Sequence, residues 1–389
     1  MIDYQRLLND RIKSVKPSGI RRFFDIANEM DHVISLSIGE PDFSTPWHVR
    51  QAGIDSLEKG KTWYTPNKGF LELRRAITDY FFRKFNVQYN AETETVVTVG
   101  GSEAIDLTIR VLINPGEEVL IPQPSFVCYE PITQMAGGKP VLLETKEENH
   151  FRLTGKALEE NITEKTKVLI LPYPNNPTGA VLRRKDLEEI AAVVRSHNII
   201  VLSDEIYGEL TYGDEKHISF SSIDGMREKT VIISGFSKSY AMTGWRLGYA
   251  LGPHQIMSQM KKLHQFAIMS APTTAQYAAI EALKNGDNDI ENMRVQYDMR
   301  RRLLVDGFRK MGLSCFEPEG AFYVFPCIQK TGLSSEEFCE KLLLAEHVAV
   351  IPGTAFGDCG EGFIRVSYSY SVKHLKEALK RIERFLNTL

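Results

Sequence analysis

The sequence predicts an α/β protein, with a large domain built on a mostly parallel sheet between helices and a smaller α+β domain. Three observations carry this. Short continuous apolar runs, among them Val168-Leu169-Ile170-Leu171, Ile199-Ile200-Val201-Leu202 and Val231-Ile232-Ile233, alternate with helical stretches; strands covered on both faces read this way. Polar clusters stand directly after several of these runs. Beyond about residue 285 the alternation gives way to one long charged helix and then mixed short elements, the pattern of a second unit. At 389 residues the chain is long enough for more than one core. The boundaries expected are 44–286 for the large domain, and 1–43 with 287–389 for the small one.

Composition narrows the function classes. The chain is 43% hydrophobic and 25% charged, with a net charge of -3. That is an ordinary globular balance, and it argues against a general nucleic-acid or anionic-membrane surface. The five cysteines show no CxxC spacing and the nine histidines no HExxH, so reduced thiols, a cytoplasmic location and no metal site are expected. No apolar run is long enough to span a bilayer.

Taken in order, residues 1–22 read as a polar, basic arm. Residues 34–38 form a short apolar segment that ends in Gly39-Glu40-Pro41-Asp42, a turn signal. Trp63-Tyr64-Thr65-Pro66-Asn67-Lys68-Gly69 is a second turn, with a helix starting at Leu71. Strands are expected at 96–99, 119–121, 141–143, 168–171, 199–202, 231–233 and 248–251. Helices are expected at 103–112 and 187–194. In the last third, helices are expected at 289–311, 338–345 and 374–388, with strands at 320–325, 348–351 and 363–367.

Four polar constellations each follow an apolar strand: Gly100-Gly101-Ser102, Asn175-Asn176, Asp204 and Ser237-Lys238. The carboxyl ends of parallel strands share one edge, where ligands bind, so the four should meet in one pocket. A glycine loop that opens a helix offers free N–H groups to a phosphate, or is simply a tight turn. Arg246 suits a bidentate grip on the same phosphate, or a structural ion pair. Asp204 is placed to keep a ring nitrogen protonated, or to cap a helix. Asn176 and Tyr207 are placed to donate to a phenolic oxygen, or to shape a turn and to pack. A lysine at the end of a buried strand is favoured in its neutral, nucleophilic form, as a Schiff-base amine requires. Phosphate grip, ring-nitrogen acid, phenolate donors and Schiff-base lysine together describe pyridoxal 5'-phosphate.

These residues carry a resemblance. Asn176-Pro177-Thr178-Gly179, Ser203-Asp204-Glu205-Ile206-Tyr207, and Ser237-Lys238 with Gly244-Trp245-Arg246-Leu247-Gly248 stand in the order found in the class I/II aminotransferases of the fold-type I pyridoxal-phosphate enzymes. The chain resembles that family, and in particular bacterial and archaeal aspartate- and aromatic-type members, from Ile38 to Ser367. The resemblance implies that Lys238 forms the Schiff base and then acts as the base, with Asp204 on the pyridine nitrogen and Tyr207 and Asn176 on the phenolic oxygen. It implies Phe126 stacked on the ring and Gly101, Ser102, Ser237 and Arg246 on the phosphate. Tyr64 would reach the phosphate of a neighbouring subunit, which implies a homodimer with shared active sites. Arg365, helped by Asn176 and the Gly39 backbone, would hold the substrate α-carboxylate. Some aspartate-preferring relatives carry lysine where this chain has Ser102, and Ile20 falls where relatives line the side-chain pocket. An aromatic or broad L-amino acid donor, with glutamate and 2-oxoglutarate as the second pair, is therefore the expected substrate set. Aspartate, alanine and N-acetyl-diaminopimelate transamination, and C–S β-lysis on the same residues, are its alternatives. A nucleotide-dependent dehydrogenase would need a full GxGxxG and an acidic residue at the end of the next strand, which this chain lacks, and a regulator would need a DNA-binding segment longer than the N-terminal arm.

Overall fold

The computed structural model describes residues 2–17, 19 and 30–389. Ile20 and most of 18–29 lie outside the described residues, so the expectations placed there are not addressed. Seven strands form the main sheet: β1 (Thr95–Thr98), β2 (Glu118–Gln123), β3 (Lys139–Glu144), β4 (Thr166–Leu171), β5 (Ile200–Asp204), β6 (Thr230–Gly235) and β7 (Gly248–Leu251). Their order is β1-β7-β6-β5-β4-β2-β3. All neighbours run parallel except at β7, which is antiparallel to both β1 and β6. Two reversals restore direction, so β1 again ends at the edge where β4, β5 and β6 end. That one topological detail brings Gly100-Gly101 beside Lys238.

The central strands are apolar on both faces because both are covered. Val96, Ile121, Ile170 and Ile233 pack against the helices Gly101–Leu112, Tyr129–Ala136 and His254–Ala267. The opposite face packs Val97, Ile232 and Leu251 against the helices Leu71–Phe85 and Thr273–Asn285. On that same face Leu169 and Val201 lie against the helix Arg184–Ser196. Burial on both faces is what removed the period-2 signature from these strands and left continuous runs in the sequence.

The C-terminal third holds a three-stranded sheet, Ile351–Pro352, Ile364–Ser367 and Tyr323–Val324, with the helices Asp287–Lys310, Ser335–Glu346 and Val372–Leu386. Ser334 and Glu337 close a capping box at the start of the second of these. Two expected strands come out differently. The 320–325 run is regular only at Tyr323–Val324, because Ala321 takes a positive φ of 58° and breaks the extension. The 348–351 run divides: Val348–Ala349 pairs in parallel with Ile34–Ser35, and Ile351–Pro352 pairs with Ile364–Ser367. The N-terminal strand is therefore tied to the C-terminal elements, and Ser367 N–H donates to the Leu36 carbonyl at 2.9 Å. No helix among the described residues is long and apolar enough to cross a membrane.

The sheet edge is closely packed where β1 meets β7. A Cβ on Gly248 would stand 2.6 Å from the Gly100 carbonyl carbon and 2.7 Å from Gly101 N. Both neighbours are backbone, so neither swings away. Gly248→Ala should cost about 1–3 kcal/mol, read as a lower melting midpoint; an unchanged midpoint would mean the strand edge is more yielding than this packing implies.

Candidate active site

One cavity of about 370 Å³ opens at the shared strand edge. Gly39, Gly101, Ser102, Phe126, Asn176, Asp204, Tyr207, Ser237, Lys238, Arg246 and Arg365 all line it. Tyr64, also assigned to the cofactor, lies elsewhere: it is 76% exposed, beside Trp63 at 64%.

Each group is delivered by the fold. Lys238 follows β6, with its amine donating to the Gly39 carbonyl at 2.6 Å. Burial pulls that amine down to about 8, with Arg365 and Arg246 adding to the effect and Glu40 and Asp204 opposing it. Asp204 is the last residue of β5. Its Oδ2 accepts from the Tyr129 hydroxyl at 2.8 Å and its Oδ1 from Ile206 N–H at 3.2 Å. Burial pushes this carboxyl up to about 6 against those two donors. The Tyr207 hydroxyl shares a 2.9 Å hydrogen bond with the Tyr323 hydroxyl, and burial raises the phenol well above its ordinary value.

The phosphate-type corner is made at the start of the helix Gly101–Leu112. Gly100 sits at its N-cap with φ 80° and no side-chain cap, which leaves the helix end to an anion. A side chain on Gly100 would meet Arg246 Nη2 at 2.7 Å. The guanidinium thus lies against the glycine loop. Arg246 itself adopts φ 53° and donates to the Thr243 carbonyl at 3.0 Å.

The opposite corner is Arg365. It is 2% exposed, donating to Asn176 Oδ1 at 3.0 Å and to the Ser37 carbonyl at 2.5 Å. Its guanidinium stacks 4.5 Å from the Tyr323 ring centroid and 4.8 Å from that of Phe356. Its Nε is buried and has no partner. A guanidinium has five N–H donors, so a carboxylate has donors waiting here. Asn176 uses its oxygen on Arg365, and its NH2 is the part free in kind to donate elsewhere.

Pyridoxal phosphate fits this donor set: an acid at one end, a glycine-loop helix terminus with a guanidinium at the other, a desolvated amine between, and Phe126 in the wall. Sequence reasoning missed Tyr129, Tyr323 and the Ser37 carbonyl. Tyr129 stands three residues after Phe126 at the start of a helix, a spacing that could have flagged it. The other two depend on tertiary contacts alone.

The family described as aminotransferase class I and II matches residues 31–382. An aspartate aminotransferase of Pyrococcus abyssi is 47% identical over 381 residues, covering 97% of this chain and 98% of its own. An aromatic-amino-acid aminotransferase of Thermococcus litoralis is 45% identical, also over 381 residues, with the same coverage. The crystal structure of an aromatic aminotransferase from Pyrococcus horikoshii OT3 superposes with a TM-score of 0.90 at 45% identity, covering 94% of this chain and 99% of that one.

Asp204 carries a stability consequence whose sign follows from its raised proton affinity. Its folded value, about 6, lies above the unfolded carboxylate value. Ionised Asp204 therefore costs the cofactor-free fold stability; the cost is full above about pH 6, shrinks as pH falls between the two values and is largely gone near pH 4, below which both states hold the proton. Asp204→Asn should raise the melting midpoint of the cofactor-free protein at pH 8 and leave it near wild type at about pH 4. A gain of equal size at both would remove the electrostatic cause.

Proposed function

The chain belongs to the class I and II aminotransferases, pyridoxal-phosphate enzymes that transfer an amino group between an amino acid and a 2-oxo acid, and we propose that this one acts on aromatic and other broad L-amino acids, with glutamate and 2-oxoglutarate as the second pair. The observation that carries the substrate reading is the cavity wall. Ile38, Ile105, Phe126, Pro172, Pro174, Ile206 and Tyr323 make it largely apolar, and its cations among the described residues are Lys238, Arg246 and Arg365. Each of the three has a task below, which leaves a distal carboxylate without a cation from these walls.

The residue roles follow from position and chemistry. Arg246, Gly101, Ser102 and Ser237 take the phosphate. Asp204 takes the ring nitrogen, Tyr207 and Asn176 the phenolic oxygen, and Phe126 the ring face. Arg365, oriented by Asn176 and Ser37, takes the substrate α-carboxylate beside the Gly39 backbone. When bound, pyridoxal phosphate supplies an electrophilic carbonyl and a protonated ring that withdraws electrons from the substrate's α-carbon. Lys238 is the proton carrier: its desolvated amine loses its own proton at far lower pH than a surface lysine, so Nζ can accept the α-proton and give it up again. The apolar walls exclude water while it does so.

The second copy belongs to this reading. Trp63, Tyr64, Phe266, Ile268 and Met269 are large and exposed. They are neighbours, since Asn67 donates to the Met269 carbonyl and Thr273 to that of Trp63, each at 2.8 Å. An apolar patch of this kind fits a homodimer, and on this reading Tyr64 serves the partner's cavity rather than its own.

Two experiments test the reading. With 2-oxoglutarate as acceptor, kcat/KM for phenylalanine and tyrosine should exceed that for aspartate by about tenfold or more; the reverse order would overturn the substrate proposal in favour of the activity named for the Pyrococcus abyssi relative. Arg365→Gln should raise KM for the amino donor on the order of 100-fold, while the affinity for pyridoxal phosphate stays within about threefold. Equal losses would make Arg365 a structural residue.

A further inference from the structure

Tyr129 has no role in the residue assignments above, yet it touches two of the groups assigned to the ring. It is the first residue of the helix Tyr129–Ala136, 3% exposed, and it lines the cavity. Its hydroxyl donates to Asp204 Oδ2 at 2.8 Å. Its ring lies edge-on to Phe126, 6.0 Å between centroids at 84°. We propose that Tyr129 is the positioning residue for the cofactor's ring: one side chain aims the Asp204 carboxylate and props the Phe126 face. The inference rests on the reading of Asp204 and Phe126 as ring contacts.

The geometry explains why a tyrosine does this and a phenylalanine would not. A buried hydroxyl is costly unless bonded, and here it is bonded to a charged acceptor, the stronger kind of hydrogen bond. With Ile206 N–H on Oδ1 and the phenol on Oδ2, each carboxylate oxygen has one fixed donor. The plane of the carboxylate is thereby set. Each oxygen keeps a further acceptor site for a ring N–H.

The same hydrogen bond keeps Asp204 charged. Burial is the main influence on this carboxyl and favours the proton; the Tyr129 contact is the largest of the influences that oppose it, ahead of Ile206 N–H. The other titratable groups facing Asp204 are Glu205, Lys238, Cys128 and Tyr207. Glu205 disfavours the charge but is turned to its own partners, Ser203, Ser219, Phe220 N–H and His217. Lys238 favours the charge. The Cys128 thiol and the Tyr207 phenol are both pushed up by burial, so near neutral pH they are uncharged and leave Asp204 to the phenol of Tyr129.

The experiment is the dissociation constant of pyridoxal phosphate for the cofactor-free protein, measured from pH 5.5 to 8.5 by quenching of tryptophan fluorescence. It is run on wild type, Tyr129→Phe and Asp204→Asn, with each melting midpoint recorded. Tyr129→Phe keeps the ring against Phe126 and removes only the donor. It should bind about tenfold more weakly at pH 7, with the acid-side loss of affinity displaced upward by about one pH unit and the melting midpoint close to wild type. A merely structural tyrosine would move the midpoint and leave the pH profile in place. If Asp204→Asn binds weakly while Tyr129→Phe follows the wild-type curve, the role of Tyr129 is overturned and that of Asp204 stands. If Asp204→Asn also binds like wild type, the ring is not over Asp204 and the inference falls with that reading.

Discussion

A half-buried lysine amine set in a largely apolar cavity is the constraint on which the rest of this structure depends. Lys238 follows a strand buried on both faces and ends in a cavity that also contains two arginines. Water would keep its amine charged; burial and the arginines favour the neutral form. Its neighbours hold it there. The chain at 36–40 lies against the amine and offers it the Gly39 carbonyl as a hydrogen-bond acceptor. The same short stretch offers the Ser37 carbonyl to Arg365. One segment thus connects the amine to Arg365, and it is held in place by C-terminal elements through Leu36 and Ser367.

The sheet makes this meeting possible. Residues separated by more than a hundred positions come together because the strands before them end at one edge. Strand β7 is the exception that keeps β1 in the arrangement. Because β7 is antiparallel to both neighbours, its two reversals cancel and the glycine loop opens at the same edge as Lys238; a single reversal would have put it on the far side. Local strain concentrates here too: Arg246 takes a left-handed backbone conformation against a glycine loop that leaves no room for a side chain. Asp204 is kept ionisable in a buried place where a neutral residue would be more comfortable. Sites of this kind give up stability to hold a reactive arrangement.

The sequence carried the large sheet well, because strands covered on both faces leave unbroken Val, Ile and Leu runs. It carried the cavity for the same reason: Asn176, Asp204 and Lys238 follow such runs directly, and the edge rule brings them together. Arg365 was different. On a short strand of the last third it reads as a surface residue until the resemblance assigns it a task, and its burial arises from Tyr323, Phe356 and the 36–40 segment. The helices Tyr129–Ala136, His254–Ala267 and Thr273–Asn285 went unread. The first is only eight residues long, and Tyr129 looks like any packed aromatic until Asp204 is beside it. The 320–325 run has strand composition throughout, but the positive φ at Ala321 is a tertiary requirement that no local propensity announces. Tyr64 shows the opposite case. It stands 76% exposed, away from the cavity, and the role proposed for it requires a second copy.

The most direct test of the account is the visible absorbance of the purified protein with pyridoxal phosphate, recorded before and after adding one amino acid with no 2-oxo acid present. The expected result is a cofactor band that requires Lys238 and is bleached stoichiometrically by a competent amino donor, then restored by 2-oxoglutarate. A band that survives every amino donor, or one that forms equally in Lys238→Ala, would contradict the claim that this buried amine carries the chemistry.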